Sequence, residues 1–157
     1  MLIYLVDDRG ANGEYAEFLY AHRESLPKYS LEVFTCWSEL LEAIHRQSPG
    51  VILADMRFDL IPTECLYGDI DALANTDRFC GNKERAEAQI RGMQGLIICR
   101  ALRENNISVP IILFASLAPQ IKSNVSKSLA PIRIIEGLMI NEVRASLREI
   151  IAFNPQS

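Results

Sequence analysis

Three carboxylates stand where a sheet would bring them together. Asp7 and Asp8 follow one apolar run, Leu2-Ile-Tyr-Leu-Val6, and Asp55 closes another, Val51-Ile-Leu-Ala-Asp-Met56. Each run is short and reads as a buried parallel strand. Open α/β sheets bind their ligands beyond the carboxyl ends of the strands. Acids at the ends of two such strands can therefore share one small volume. Like charges that close cannot all stay ionised without a cation between them. Ligands that are all oxygen suit Mg²⁺ or a similar hard ion. Taken singly, Asp8 or Asp55 would only cap the helix that follows; the matching placement argues for a site.

The elements that must position these acids can be read in order. Arg9-Gly-Ala-Asn-Gly13 reads as turn punctuation and not as a G-x-G-x-x-G fingerprint. A helix fits Glu14 to Leu26, with Tyr15, Phe18, Leu19 and His22 on one face and Pro27 as its stop. His22 there is a half-buried residue and not a ligand. Leu31 to Cys36 alternates as a second strand, and Ser38 is placed to cap a helix from Glu39 to Gln47. With Val51 to Asp55 the order is β-α-β-α-β, which implies a parallel sheet with right-handed crossovers. Gln94 to Glu104 has helical spacing, Pro110 to Ala115 is a fourth strand, Ser116 to Leu129 a weakly amphipathic helix, and Ile132 to Ile135 a fifth strand. Asn141 to Phe153 is a last helix, ended by Asn154-Pro155.

The block between Met56 and Met93 is far longer than a usual strand-to-helix loop. It leaves the sheet beside Asp55 and can lie over the mouth of the site. Lys83 to Arg91 has helical character and lengthens the helix after it, with Gly92 and Gly95 weakening the join. Asp69-Ile-Asp71 begins like a calcium loop but lacks the glycine at the sixth position, and Cys65 and Cys80 are too few for structural zinc. These acids read as a solvated loop.

The composition is that of a globular chain: 157 residues, 49% apolar, 23% charged, with a formal charge of −4. That balance argues against a nucleic-acid surface and against an anionic membrane surface. The four cysteines form no C-x-x-C pair, and the chain enters a strand at once, without a basic leader or a long apolar span. The expectation is reduced thiols in a cytoplasmic protein.

At this point the residues resemble a known family. Ile3-Tyr-Leu-Val-Asp7-Asp8 resembles the first strand and acid pair of response-regulator receiver domains of the chemotaxis-regulator type. Ser38-Glu-Leu-Leu-Glu-Ala-Ile44 and Pro49-Gly-Val-Ile-Leu-Ala-Asp55-Met resemble the second helix and the phospho-acceptor strand. Met93-Gln-Gly95-Leu-Ile-Ile-Cys-Arg is similar to the family's Met-Asp-Gly helix, and Val109-Pro-Ile-Ile-Leu113 to its fourth strand. The resemblance implies a doubly wound (flavodoxin-like) α/β fold: a five-stranded parallel sheet, order 2-1-3-4-5, flanked by helices. It implies one receiver-like domain over residues 1–157, with residues 59–91 inserted after the third strand.

The chemistry it implies can be carried over by position. Asp55 would be the phosphoryl acceptor. Asp8 would bind Mg²⁺ directly, Asp7 directly or through water, and Asp55 and the backbone carbonyl of Arg57 would complete the protein's ligands. Other positions depart from the family. The hydroxyl residue ending the fourth strand aligns with Ala115, the lysine ending the fifth with Glu136, and the aromatic switch with Arg133. A carboxylate in place of the lysine repels phosphoryl oxygens by a few kcal/mol at about 4 Å. The missing hydroxyl removes a hydrogen bond worth about 1.5–3 kcal/mol. Ser116 would compensate only if the strand end slipped by one residue, which a buried strand resists. Arg57, Arg78, Lys83 or Arg133 would be the substitute cation.

Three functions compete. The first is a divergent receiver that accepts a phosphoryl group on Asp55 from a histidine kinase or phosphotransfer protein. The second is a phosphorylation-independent pseudo-receiver, a protein–protein interaction module whose insert, with Leu60, Ile61, Leu66, Tyr67 and Phe79, would be its partner surface or a self-contact lid. The third, a metal-dependent hydrolase, needs Asp-x-Asp after a strand, which Asp55-Met-Arg57 lacks, so no enzyme is expected. No effector domain is expected after Phe153. Output would then run through a downstream protein partner, or a homodimer formed through the fourth and fifth strands and the helices after them.

Overall fold

The computed structural model describes residues 1–153; the expected helix stop at Asn154-Pro155 lies outside the described residues. Five strands form one parallel sheet: β1 (Leu2–Val6), β2 (Ser30–Phe34), β3 (Val51–Asp55), β4 (Ile111–Phe114) and β5 (Ile132–Ile135). Their order is β2-β1-β3-β4-β5. Register aligns Val6 with Ala54 and Asp55 with Phe114, so the strands end level with one another at the acids.

The pleat sorts the core into two layers. Ile3, Leu5, Val51, Leu53, Ile112 and Phe114 face α1 (Glu14–Ala21) and α7 (Ile140–Phe153), where Leu19, Val143 and Leu147 meet them. Tyr4, Val6, Ile52, Ala54, Ile111 and Leu113 face the other way, toward α2 (Trp37–Arg46), α5 (Gln94–Glu104) and α6 (Pro119–Ser128), where Leu40, Leu102 and Val125 meet them. Tyr4 is the polar exception inside, and its hydroxyl is satisfied by the carbonyls of Ala43 and Gln47 at 3.3 and 2.9 Å.

Several element ends differ from expectation for local reasons. Helix α1 stops at Ala21, not Leu26; the chain then turns, with Ser25 N–H bonding His22 O at 2.8 Å. His22 is half-buried, its ring 4.7 Å from Phe18. Helix α2 starts at Trp37 with Cys36 as its cap residue, so Ser38 lies inside it. Glu39 instead reaches back to accept from Thr35 N and Oγ1 at 3.0 and 3.2 Å, and burying Trp37 draws the helix start forward. The expected long helix across Gly92 is two, broken at Met93. Helix α6 starts at Pro119, whose missing N–H costs nothing in a first turn.

The long block after β3 is ordered and has its own small core. It holds α3 (Ile70–Ala74) and α4 (Lys83–Gly92), packed through Ala74, Phe79 and Ala86. A left-handed turn at Cys80 and Gly81 joins them, and Asn82 Oδ1 caps α4 by accepting from Arg85 N at 3.0 Å. Phe58 and Ile61 are buried in the main core and tie the block to the sheet. Ile61 and Phe79 are therefore unavailable as partner surface and make the self-contacts of the alternative expectation; Leu60 remains 64% exposed.

Two side chains fasten this block. Gln94, buried at the start of α5, clamps the backbone of Tyr67: its Oε1 accepts from Tyr67 N at 3.0 Å, and its Nε2 donates to Tyr67 O at 3.1 Å. Arg91 donates to Ile61 O at 2.9 Å and to Thr63 Oγ1 at 3.2 Å, while Glu87 holds its other edge at 2.8 Å. Asp69 Oδ1 caps α3 by accepting from Ala72 N at 2.8 Å, and Asp71 pairs with Lys83 at 2.6 Å, so neither acid is idle loop.

Candidate functional site

The ends of β1 and β3 bring Asp7, Asp8 and Asp55 together, each with a carboxylate oxygen within 4.8 Å of the others. Asp7 is 1% exposed. Its Oδ1 accepts from Arg9 N at 3.0 Å, while its Oδ2 is buried without a hydrogen-bond partner. An unsatisfied buried carboxylate oxygen is costly and calls for a cation or a proton. Burial pushes the Asp7 carboxyl up to about 6; the Arg9 N–H opposes this, and the Asp55 and Asp8 charges add to it. Burial also raises Asp55, against the lowering by hydrogen bonds from Tyr15 and Met56.

Two glycines make this packing possible. A Cβ at Gly13 would stand 2.2 Å from Asp7 Oδ2, so the turn read as punctuation also lets the chain pass directly over that acid. A Cβ at Gly95 would stand 1.9 Å from the carbonyl oxygen of Asp55. Gly95 N–H donates to Met56 O at 3.0 Å, which fixes the start of α5 against the end of β3.

Two donors were hidden from the sequence. Tyr15, in the first turn of α1, donates its hydroxyl to Asp55 Oδ1 at 3.0 Å and lays its ring 4.7 Å from Phe114. Burial, then the Asp55 charge, raises the Tyr15 phenol, so it remains a donor. Leu60 N–H, from the block after β3, donates to Asp8 Oδ2 at 2.7 Å. Helical spacing marks Tyr15 as one of an apolar face, and no side-chain signal exists for a backbone donor.

Asp8 and Asp55 open into a cleft of about 600 Å³, with Asp7 buried behind them, and its far wall carries Ala115, Ser116 and Glu136. Ala115 N–H bonds Ile135 O at 3.0 Å, so the strand end has not slipped. Ala115 is buried and Ser116 exposed. Ser116 Oγ donates to Glu136 Oε1 at 2.7 Å, tying the would-be compensating hydroxyl to the residue in the lysine's place.

The candidate cations are mostly elsewhere. Lys83 pairs with Asp71, Arg133 with Glu149, and Arg78 stands over the Phe79 ring at 5.3 Å. Arg57 lines the cleft but grips Asp59 at 3.2 Å. Arg9, which no pattern singled out, also lines it. Cys36 and Cys99 are buried, Cys65 and Cys80 exposed, and all four are free thiols. Among the described residues no helix is long and apolar enough to cross a membrane.

No family model matches the sequence, and no curated protein matches it either. Solved structures do. The chain is similar to the receiver domain of the Francisella response regulator 1452, with a TM-score of 0.64 at 16% identity over 97% of each chain. It is also similar to the apo receiver domain of nitrogen regulatory protein C, with a TM-score of 0.63 at 16% identity over 99% of this chain and 97% of that one. At this identity the likeness shows the fold: a five-stranded parallel sheet of order 2-1-3-4-5, flanked by helices, as in response-regulator receiver domains.

Proposed function

We propose that this chain is a divergent response-regulator receiver, cytoplasmic, that accepts a phosphoryl group on Asp55 in a two-component phosphorelay. The observation that carries the reading is the buried, unpartnered Asp7 Oδ2 beside Asp8 and Asp55, at matched strand ends of a receiver fold. An all-oxygen donor set with one orphaned anionic atom fits Mg²⁺. Asp7, Asp8, Asp55 and the Arg57 carbonyl would hold the ion, which would neutralise the carboxylates and the transferring phosphoryl group. The chain's own part is to present Asp55 as a carboxylate nucleophile. Met56 N–H orients it, Tyr15 holds it in the cation-free protein, and the cleft leaves room for the phosphodonor. The donor is a histidine kinase or phosphotransfer protein. Receiver action of this kind is signalling rather than turnover of a substrate.

The test is intact mass after incubation with acetyl phosphate and MgCl₂, beside Asp55→Ala. One added phosphoryl group on the wild type alone supports the reading; none under saturating donor sinks it.

The Ser116–Glu136 bond favours a second reading, because it stations a carboxylate where phosphoryl oxygens would come. The chain would then be a pseudo-receiver, a phosphorylation-independent interaction module using the block after β3 or the β4–α6–β5–α7 face. A partner complex or homodimer that forms equally well with Asp55→Ala would favour it.

A further inference from the structure

Asp55 carries its two closest hydrogen bonds on one oxygen. Oδ1 accepts the Met56 N–H at 2.7 Å and the Tyr15 O–H at 3.0 Å. The Arg57 N–H also favours the charged carboxylate, more weakly than these two. A carboxylate oxygen offers about two lone-pair directions, so Oδ1 is full. A cation-assisted acceptor needs both oxygens, one toward the cation and one to attack phosphorus. With Oδ1 full, a cation either takes Oδ2, leaving no nucleophile, or displaces a donor. Met56 N–H is fixed by the chain. Tyr15 is the donor that can leave, since it is a half-buried side chain on the first turn of α1. The Leu60 bond to Asp8 Oδ2 makes no such demand, because Asp8 Oδ1 stays available.

We propose that Tyr15 is a positioning residue that competes with the divalent cation for Asp55 Oδ1, holding the acceptor when no cation is present and yielding when one binds. This rests on the reading of the acid cluster as a cation-assisted acceptor site. It makes the Tyr15 hydroxyl a brake on cation affinity.

The test is calorimetric titration of MgCl₂ into wild type, Tyr15→Phe and the exposed control Tyr20→Phe, each repeated with Asp55→Ala, which removes the contested oxygen. Phenylalanine keeps the ring against Phe114 and removes only the hydroxyl. Tyr15→Phe is expected to bind about tenfold tighter, the equivalent of one hydrogen bond to a charged group. Tyr20→Phe should match the wild type, and Asp55→Ala should abolish the gain. Wild-type affinity unchanged in Tyr15→Phe, or a gain that survives Asp55→Ala, overturns this proposal alone. Silence in both wild type and Tyr15→Phe overturns the cation reading with it. A second readout needs no variant: MgCl₂ should speed exchange of the Tyr15 hydroxyl proton with water, and unchanged exchange overturns the proposal.

Discussion

The two walls of the cleft were built to different ends. On one, β1, β3 and the start of α1 present Asp8 and Asp55, with Asp7 buried behind them, one of its oxygens left unpartnered among the described residues, and two glycines cut away to let backbone through. On the other, the ends of β4 and β5 offer a methyl group at Ala115 and a hydroxyl bonded to a carboxylate at Ser116 and Glu136. The first wall is costly to maintain unless something cationic uses it. The second satisfies itself and presents negative charge. On the proposed reading, capture of a cation and response to a phosphoryl group are separable: the first wall gathers the oxygens that a cation needs, and the second offers a carboxylate and no positive group to a phosphoryl.

Breaking the first wall should have the largest effect. Gly95→Ala drives a Cβ to 1.9 Å from the Asp55 carbonyl, a collision with backbone that no rotamer relieves. It is expected to cost about 1–3 kcal/mol or more in chemical denaturation, and a loss under 1 kcal/mol would mean that α5 does not pin the end of β3.

The pH dependence of the cation-free protein probes the same wall. The Asp7 pKa is raised from its unfolded value of 3.8 to about 6, so the native state holds the extra proton between those values. Its contribution is full below about 4 and is lost as pH rises through 6. The wild type should lose on the order of 3 kcal/mol relative to Asp7→Asn between about pH 4 and 7. Saturating Mg²⁺, which favours the charged form, should reverse the trend. A wild type and variant with parallel stability curves would show that Asp7 is not strained.

Converting the second wall sharpens the contrast. Glu136→Lys exchanges repulsion for attraction at the cleft and releases Ser116. Phosphoryl addition to Asp55, followed by intact mass, should quicken about tenfold or more, since removing one like charge is worth more than about 1.4 kcal/mol. An unchanged rate would place Glu136 out of reach of the reacting group.

The unequal walls also explain what the sequence shows. The first wall is legible because acids at the ends of two apolar runs are a one-dimensional pattern that parallel register converts into a cluster. The departures at Ala115 and Glu136 stand out against the family pattern for the same reason. What hides is whatever depends on approach across the fold. Tyr15 shares its spacing with Phe18 and Leu19, and only the path of α1 over β3 turns its hydroxyl toward Asp55. Order in the block after β3 is hidden too. Its fasteners, Gln94 and Arg91, bond mainly to backbone carbonyls and amides, which no side-chain pattern encodes.

The smallest effect expected is none, and it tests whether the second wall has a hidden cation. Lys83 and Arg133 are two of the four basic residues that the sequence offers as substitutes for the missing lysine. Lys83 is bound to Asp71 on the exposed side of the α3–α4 pair, and Arg133 to Glu149 at the outer edge of the sheet. Neither lines the cleft, whereas Arg9 and Arg57 do. Exposed pairs of this kind are largely screened and add little to stability. Lys83→Ala and Arg133→Ala should therefore leave the phosphorylation rate and the Mg²⁺ affinity at wild-type values, while Arg9→Ala should lower the rate. A slowed Lys83→Ala would mean that the block after β3 swings over the cleft during transfer and brings its own cation, and the two walls would then have a third between them.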